Sequence, residues 1–143
     1  MRELPGDVFV AGQLDLVTMT TLAEQGVMSF INNRPDNEGV MQPSSDSLKA
    51  AAVELGVDYR HIPMVGGIPP QTLEASVDAF ANMPRPIVAF CASGMRSAAL
   101  WGFAHVDSLG VDGVLSAITE ACYSLEQIRP MLTEFAGRKA GDA

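Results

Sequence analysis

Cys91 is followed five positions later by Arg96, in the run Phe90-Cys91-Ala92-Ser93-Gly94-Met95-Arg96-Ser97. A continuous apolar stretch, Ile87-Val88-Ala89-Phe90, precedes the sulfur and reads as a strand covered on both faces. The residues from Ala98 to Leu109 are apolar nearly all round, as in a buried helix. A short turn between two such elements puts the cysteine at its floor and the backbone N–H groups of Ala92 to Ser97 around a point above the sulfur. A nest of that kind at a helix N-terminus attracts anions and lowers a thiol's pKa. Gly94 suits a backbone that must turn through positive φ, and Arg96 adds a planar charged fork matched to tetrahedral oxyanions. The expected chemistry is nucleophilic attack by a thiolate. Cys91 is the nucleophile, and Arg96 with Ala92, Ser93, Gly94, Met95 and Ser97 forms the anion cradle. The Ser97 hydroxyl is expected to donate to the thiolate.

Other chemistry-bearing residues are fewer. Asn33, Arg34 and Asp36 follow a strand and belong on the same rim as Cys91. Asp36 is open to two readings, a general acid or an Asx-turn and capping residue. Cys122, amid Ile118, Ala121 and Tyr123, reads as a small buried hydrophobe. His61 and His105 lack partner spacing for a metal or a triad and read as structural; scattered methionines read as core filling.

Strands and helices must hold this turn in place. Strand patterns fall at Val8 to Ala11, Val27 to Ile31, Val57 to Ile62 and Ile87 to Phe90. Helical spacing covers Thr18 to Gln25, Pro43 to Leu55, Gln71 to Met83, Ala98 to Leu109 and Val114 to Tyr123, the last capped by Asp112. Pro130 is expected to break or kink the final helix. The alternation predicts an α/β fold, with a mostly parallel central sheet of four to five strands and helices on both faces. Residues 1–136 form one domain and residues 137–143 a flexible tail.

The 143 residues are 48% hydrophobic and 18% charged, which excludes general disorder. Nine Lys+Arg against 17 Asp+Glu leave a net charge of −8, which repels nucleic acid and anionic membranes, so neither is an expected partner. Two cysteines are too few for a disulfide framework or a structural zinc site, and no metal or cofactor is called for. No export signal or apolar span stands out, so a reducing cytoplasm is the expected location.

Cys91-x4-Arg96-Ser97 resembles the active-site loop of rhodanese sulfurtransferases. The rest of the chain is similar to a bacterial family, the beta-lactamase-hydrolase-like phosphatase-like domain. The elements that carry the likeness are Gly12-Gln13-Leu14, Asn33-Arg34-Pro35-Asp36, Gln42-Pro43-Ser44, Tyr59-Arg60-His61-Ile62-Pro63, the cysteine loop and Ser97-Ala98-Ala99-Leu100-Trp101. This resemblance implies the fold of dual-specificity phosphatases. Two departures separate the chain from true phosphatases. Their loop is Cys-x5-Arg, one residue longer than here, and Gly66 stands where they carry a general-acid Asp. A missing acid forfeits a contribution of about 10²–10⁴ in rate for an alkoxide leaving group. Sulfite and thiolates leave without one.

The expectation is therefore a cysteine-dependent sulfurtransferase with a Cys91 persulfide intermediate. It would act on a small sulfur-containing anion or persulfide, with a protein as one candidate sulfur acceptor. A phosphatase acting on a phosphate ester through a cysteinyl-phosphate is the alternative. A non-catalytic anion-binding or redox-sensing module is a third reading.

Overall fold

β-Branched and aromatic runs supply four parallel strands, and a short N-terminal strand adds an antiparallel edge. The strands are β1 (Arg2–Leu4), β2 (Val8–Ala11), β3 (Ser29–Asn32), β4 (Asp58–His61) and β5 (Ile87–Phe90), in the spatial order β1-β2-β5-β3-β4. The computed structural model describes the backbone of residues 1–142 and the side chains of residues 1–138. The sequence reading missed β1, which at three residues is too short to show a period. It pairs antiparallel with β2 across a turn in which Gly6 and Asp7 both take positive φ.

Register fixes where the chemistry stands. Ala11, Phe90, Asn32 and His61 form one row across β2, β5, β3 and β4, at the carboxyl end of every strand. The next residues, Gly12, Cys91, Asn33 and Ile62, therefore line one edge of the sheet. Backbone bonds extend the ladder into this rim: Asn33 N–H donates to the Phe90 carbonyl at 2.8 Å and Cys91 N–H to the Ala11 carbonyl at 3.3 Å.

The sheet separates two cores. Phe30, Val88 and Phe90 face Met19 and Leu22 of α1 (Leu16–Glu24) and Leu48 and Ala52 of α2 (Ser45–Leu55). Ile31, Ile87 and Ala89 face the other side, where α3 (Pro70–Asn82), α4 (Met95–Glu120) and α5 (Arg129–Asp142) pack. Each fully buried Leu or Phe in these layers contributes about 1.5–3 kcal/mol of transfer free energy. Helix α2 starts and stops as its sequence dictates, with Ser44 Oγ accepting the Ser47 N–H and Gly56 closing it at φ 72°.

The span labelled α4 contains the two helices expected there. Gly110, at φ 74° and ψ 166°, breaks it, and the second half folds back so that Val114 and Ile118 pack beside Gly102. Asp112 does not cap that second half; its carboxylate takes Arg129 at 2.6 Å. Pro130 lies in the first turn of α5, where its missing N–H costs nothing, so it neither breaks nor kinks the helix. Helical backbone covers residues 137–142 of the expected tail, while Ala143 lies outside the described residues. Cys122 departs from expectation: it is exposed, at φ 70° just past α4, because the chain turns outward there. Among the described residues, no helix is long and apolar enough to cross a membrane.

Candidate active site

The cradle forms because a buried strand ends one residue before the cysteine and a helix starts four residues after it. Cys91 is fully buried, and its Sγ accepts the Gly94 N–H at 3.1 Å. Gly94 takes φ 93° at the start of α4; a Cβ there would lie 2.2 Å from the Tyr123 hydroxyl and 3.3 Å from the Ala11 carbonyl carbon. Only glycine fits. Burial opposes ionisation of the Cys91 thiol, but the backbone N–H groups of Ser97, Ser93, Gly94 and Arg96 outweigh it and bring the pKa below that of an ordinary thiol. The expected nest is thus present around the sulfur.

Ser97 acts differently from expectation. Its hydroxyl donates to Asn33 Oδ1 at 2.8 Å, so its single proton is spent there and the thiolate receives the Ser97 backbone N–H instead. Asn33 is buried, and its Nδ2 donates to the Ile62 carbonyl at 2.9 Å. This one side chain ties β3, β4 and the first turn of α4 together. Ala92, Ser93 and Met95 complete the turn: the Ser93 carbonyl accepts the Tyr123 hydroxyl at 3.3 Å, and the Ala92 carbonyl accepts the Gln13 N–H at 3.4 Å.

Arg96 is held end-on by a carboxylate the sequence reading did not single out. Its Nη1 and Nη2 donate to the two oxygens of Glu38 at 2.8 and 2.7 Å, and Nη1 also reaches the Met64 carbonyl at 3.1 Å. Arg34 Nε donates to the same Glu38 at 2.9 Å, and Arg34 Nη1 to Gln13 at 3.1 Å. The Arg96 and Arg34 guanidinium groups hold the Glu38 carboxyl down to about 2. Arg96 also interacts with the Cys91 sulfur, through charge and a side-chain hydrogen bond. The signal for Glu38 was present in sequence, as an acid four residues after Arg34 in a turn-rich rim loop.

Asp36 takes the capping role. Its Oδ1 accepts the Ser45 N–H at 2.8 Å, at the first residue of α2, which places its charge at the positive end of that helix. That bond fits the capping reading of Asp36. His61 Nε2 bonds the Arg34 carbonyl at 2.8 Å and so fixes the rim loop. His105 is structural, stacked on Trp101, and burial lowers its pKa. The segment between β4 and α3 passes beside Arg96 through Met64 and carries no carboxylate; Gly66 lies exposed within it.

Comparison with known proteins places this architecture. The family model for the beta-lactamase hydrolase-like protein, phosphatase-like domain, matches residues 1–108, which include the whole cysteine loop. The chain belongs to this family. The phosphatase-like domain is 38% identical over 96 residues to the beta-lactamase hydrolase-like protein of Agrobacterium fabrum, covering 64% of this chain and 22% of that protein. It is 32% identical over 98 residues to the protein of the same name from Xylella fastidiosa, covering 68% of this chain and 23% of that one. The chain thus spans less than a quarter of the curated relatives it matches. Among solved structures, a putative phosphatase from Neisseria meningitidis Z2491 superposes with a TM-score of 0.80 at 26% identity, over 94% of this chain and 96% of that one. The core catalytic domain of the PP-IP phosphatase SIW14 from S. cerevisiae shares the fold at a TM-score of 0.70 and 15% identity, over 93% and 83% of the two chains. The phosphatase-like α/β fold expected from the sequence is therefore the fold of this protein.

Proposed function

We propose that the protein is a cysteine-dependent sulfurtransferase built on a phosphatase-like fold. The observation that carries this reading is the state of the rim carboxylates. Glu38 is locked ionised between two arginines, Asp36 caps α2, and the segment beside Arg96 has none. Among the described residues, the rim carboxylates are thus engaged by arginines or by a helix start, and a carboxylic acid is a usual donor to an alkoxide. Sulfur transfer does without one. The Cys91 thiolate attacks the outer sulfur of thiosulfate, the S–S bond breaks, and sulfite leaves with the electron pair. A Cys91 persulfide remains. An acceptor thiolate or cyanide then takes the outer sulfur and returns Cys91 to the thiolate. The loop N–H groups and Arg96 stabilise the negative charge in both states.

Phosphate-ester hydrolysis is the second reading, and the comparisons favour it over sulfur transfer. The Neisseria structure is called a putative phosphatase and SIW14 a PP-IP phosphatase, whose core was crystallised with citrate. PTPMT1, a further structure of this fold, was crystallised with PI(5)P. A thiolate within an anion cradle serves both chemistries, so the reaction has to be measured. Wild type and Cys91→Ser are compared on thiosulfate with cyanide and on para-nitrophenyl phosphate. Thiocyanate formed by wild type alone, with negligible nitrophenol, is the expected result. Brisk nitrophenol release that needs Cys91, without thiocyanate, would establish the phosphatase instead.

A further inference from the structure

Glu38 places a fixed negative charge against both arginines of the site, and this has a consequence for which anions the site accepts. Two cations, Arg34 and Arg96, share the one Glu38 carboxylate, so the rim offsets part of the positive charge beside the cradle. Glu38 does not drift in as a mobile surface acid. Gln42 Oε1 accepts the N–H groups of both Glu38 and Gly39, at 3.1 and 3.0 Å, and Gln42 Nε2 donates to the Pro35 carbonyl at 2.8 Å. His61 holds the Arg34 carbonyl from below. The rim loop is thus a built support that presents one carboxylate to the end-on edge of Arg96.

We propose that Glu38 is a specificity-determining residue that discriminates anions by charge, penalising dianions relative to monoanions at the Cys91–Arg96 cradle. The inference rests on the reading of the loop as an anion cradle, and holds whichever group is transferred. The mechanism is Coulombic. A carboxylate on the far side of the guanidinium subtracts from the attraction Arg96 and Arg34 exert, in proportion to the ligand's charge. Removing that charge while keeping the side chain's size should tighten binding by roughly threefold per unit of ligand charge, the scale appropriate to a partly exposed group.

The test uses two tetrahedral anions that differ in charge, sulfate and perchlorate. Each is titrated at constant pH and ionic strength into wild type, Glu38→Gln and Arg34→Gln. Binding is followed through the backbone amide NMR signals of Ser93, Gly94, Arg96 and Ser97. In Glu38→Gln the sulfate Kd should fall about tenfold and the perchlorate Kd about threefold, two charges against one. Arg34→Gln should weaken sulfate more than perchlorate. Equal tightening of both anions would overturn the proposal and make Glu38 a steric plug. An unchanged or weaker sulfate Kd in Glu38→Gln would also overturn it, leaving Glu38 only an anchor for Arg96. Loop signals that stay unmoved by either anion in every chain would overturn the cradle itself, and this proposal with it.

Discussion

Arg96 serves this site through the shape of its side chain as much as through its charge. Its end-on edge pairs with both oxygens of Glu38 while the same group interacts with the Cys91 sulfur, an arrangement lysine cannot reproduce with a single ammonium. Arg96→Lys should therefore cost about 10²-fold in kcat/KM of the Cys91-dependent reaction, with the thermal midpoint nearly unchanged. Near-wild-type turnover would show that the guanidinium does not hold the anion. The thiol offers a second check. Because the loop N–H groups favour the thiolate, the pH profile of Cys91 alkylation should have its midpoint below that of an unperturbed cysteine measured alongside it. Peptide-resolved mass spectrometry separates Cys91 from the exposed Cys122. Glu38 works in the opposite pH range. Its carboxyl is held at about 2 when folded, below its ordinary value, so it stabilises the folded state above that ordinary value and loses the contribution as pH falls toward 2. The difference in urea midpoint between wild type and Glu38→Gln should hold steady above about pH 5 and shrink below it. A difference independent of pH would mean the Glu38 charge contributes nothing to folding.

The cysteine loop functions as an element because a second element braces it. Tyr123, past the end of α4, lays its hydroxyl on the Ser93 carbonyl and against the α-carbon of Gly94. Gly94→Ala must pay for a positive φ, about 1–2 kcal/mol, and displace Tyr123 as well. Cys91-dependent activity should fall at least tenfold and the Cys91 alkylation midpoint should rise as the N–H groups lose aim; an unchanged midpoint would contradict this account of the nest. Legibility in the sequence followed the range of the forces involved. The strand Ile87 to Phe90, the cysteine turn and the caps at Ser44 and Gly56 are local patterns, and they stand where their residues indicate. Glu38 on Arg96, 58 positions away, and Ser97 on Asn33, 64 positions away, depend on strand register, which local spacing does not encode. The role of Asp36 turned on one bond to the Ser45 N–H, equally invisible in a linear reading. Cys122 was misplaced because its neighbours in sequence are buried while its own backbone turns outward.

At the scale of the molecule, the sheet's carboxyl edge is a platform and the two cores keep it rigid. Trp101 and Leu100, just past the cysteine loop in α4, are fully buried beneath it. Leu100→Ala should cost about 2–5 kcal/mol of stability, read from urea unfolding, while folded protein keeps the Cys91 alkylation profile of wild type. The fold alone leaves the chemistry open, since one cradle can hold phosphate oxygens or a transferred sulfur. On the rim, Glu38 is held ionised by two arginines and Asp36 accepts the Ser45 N–H, so the reaction itself has to be measured. The most direct test is the intact mass of the protein after brief thiosulfate treatment and desalting without reductant. A gain of one sulfur atom that maps to Cys91, is absent in Cys91→Ser and is discharged by cyanide is the predicted result. No gain at Cys91, together with Cys91-dependent hydrolysis of an aryl phosphate, would contradict the assignment.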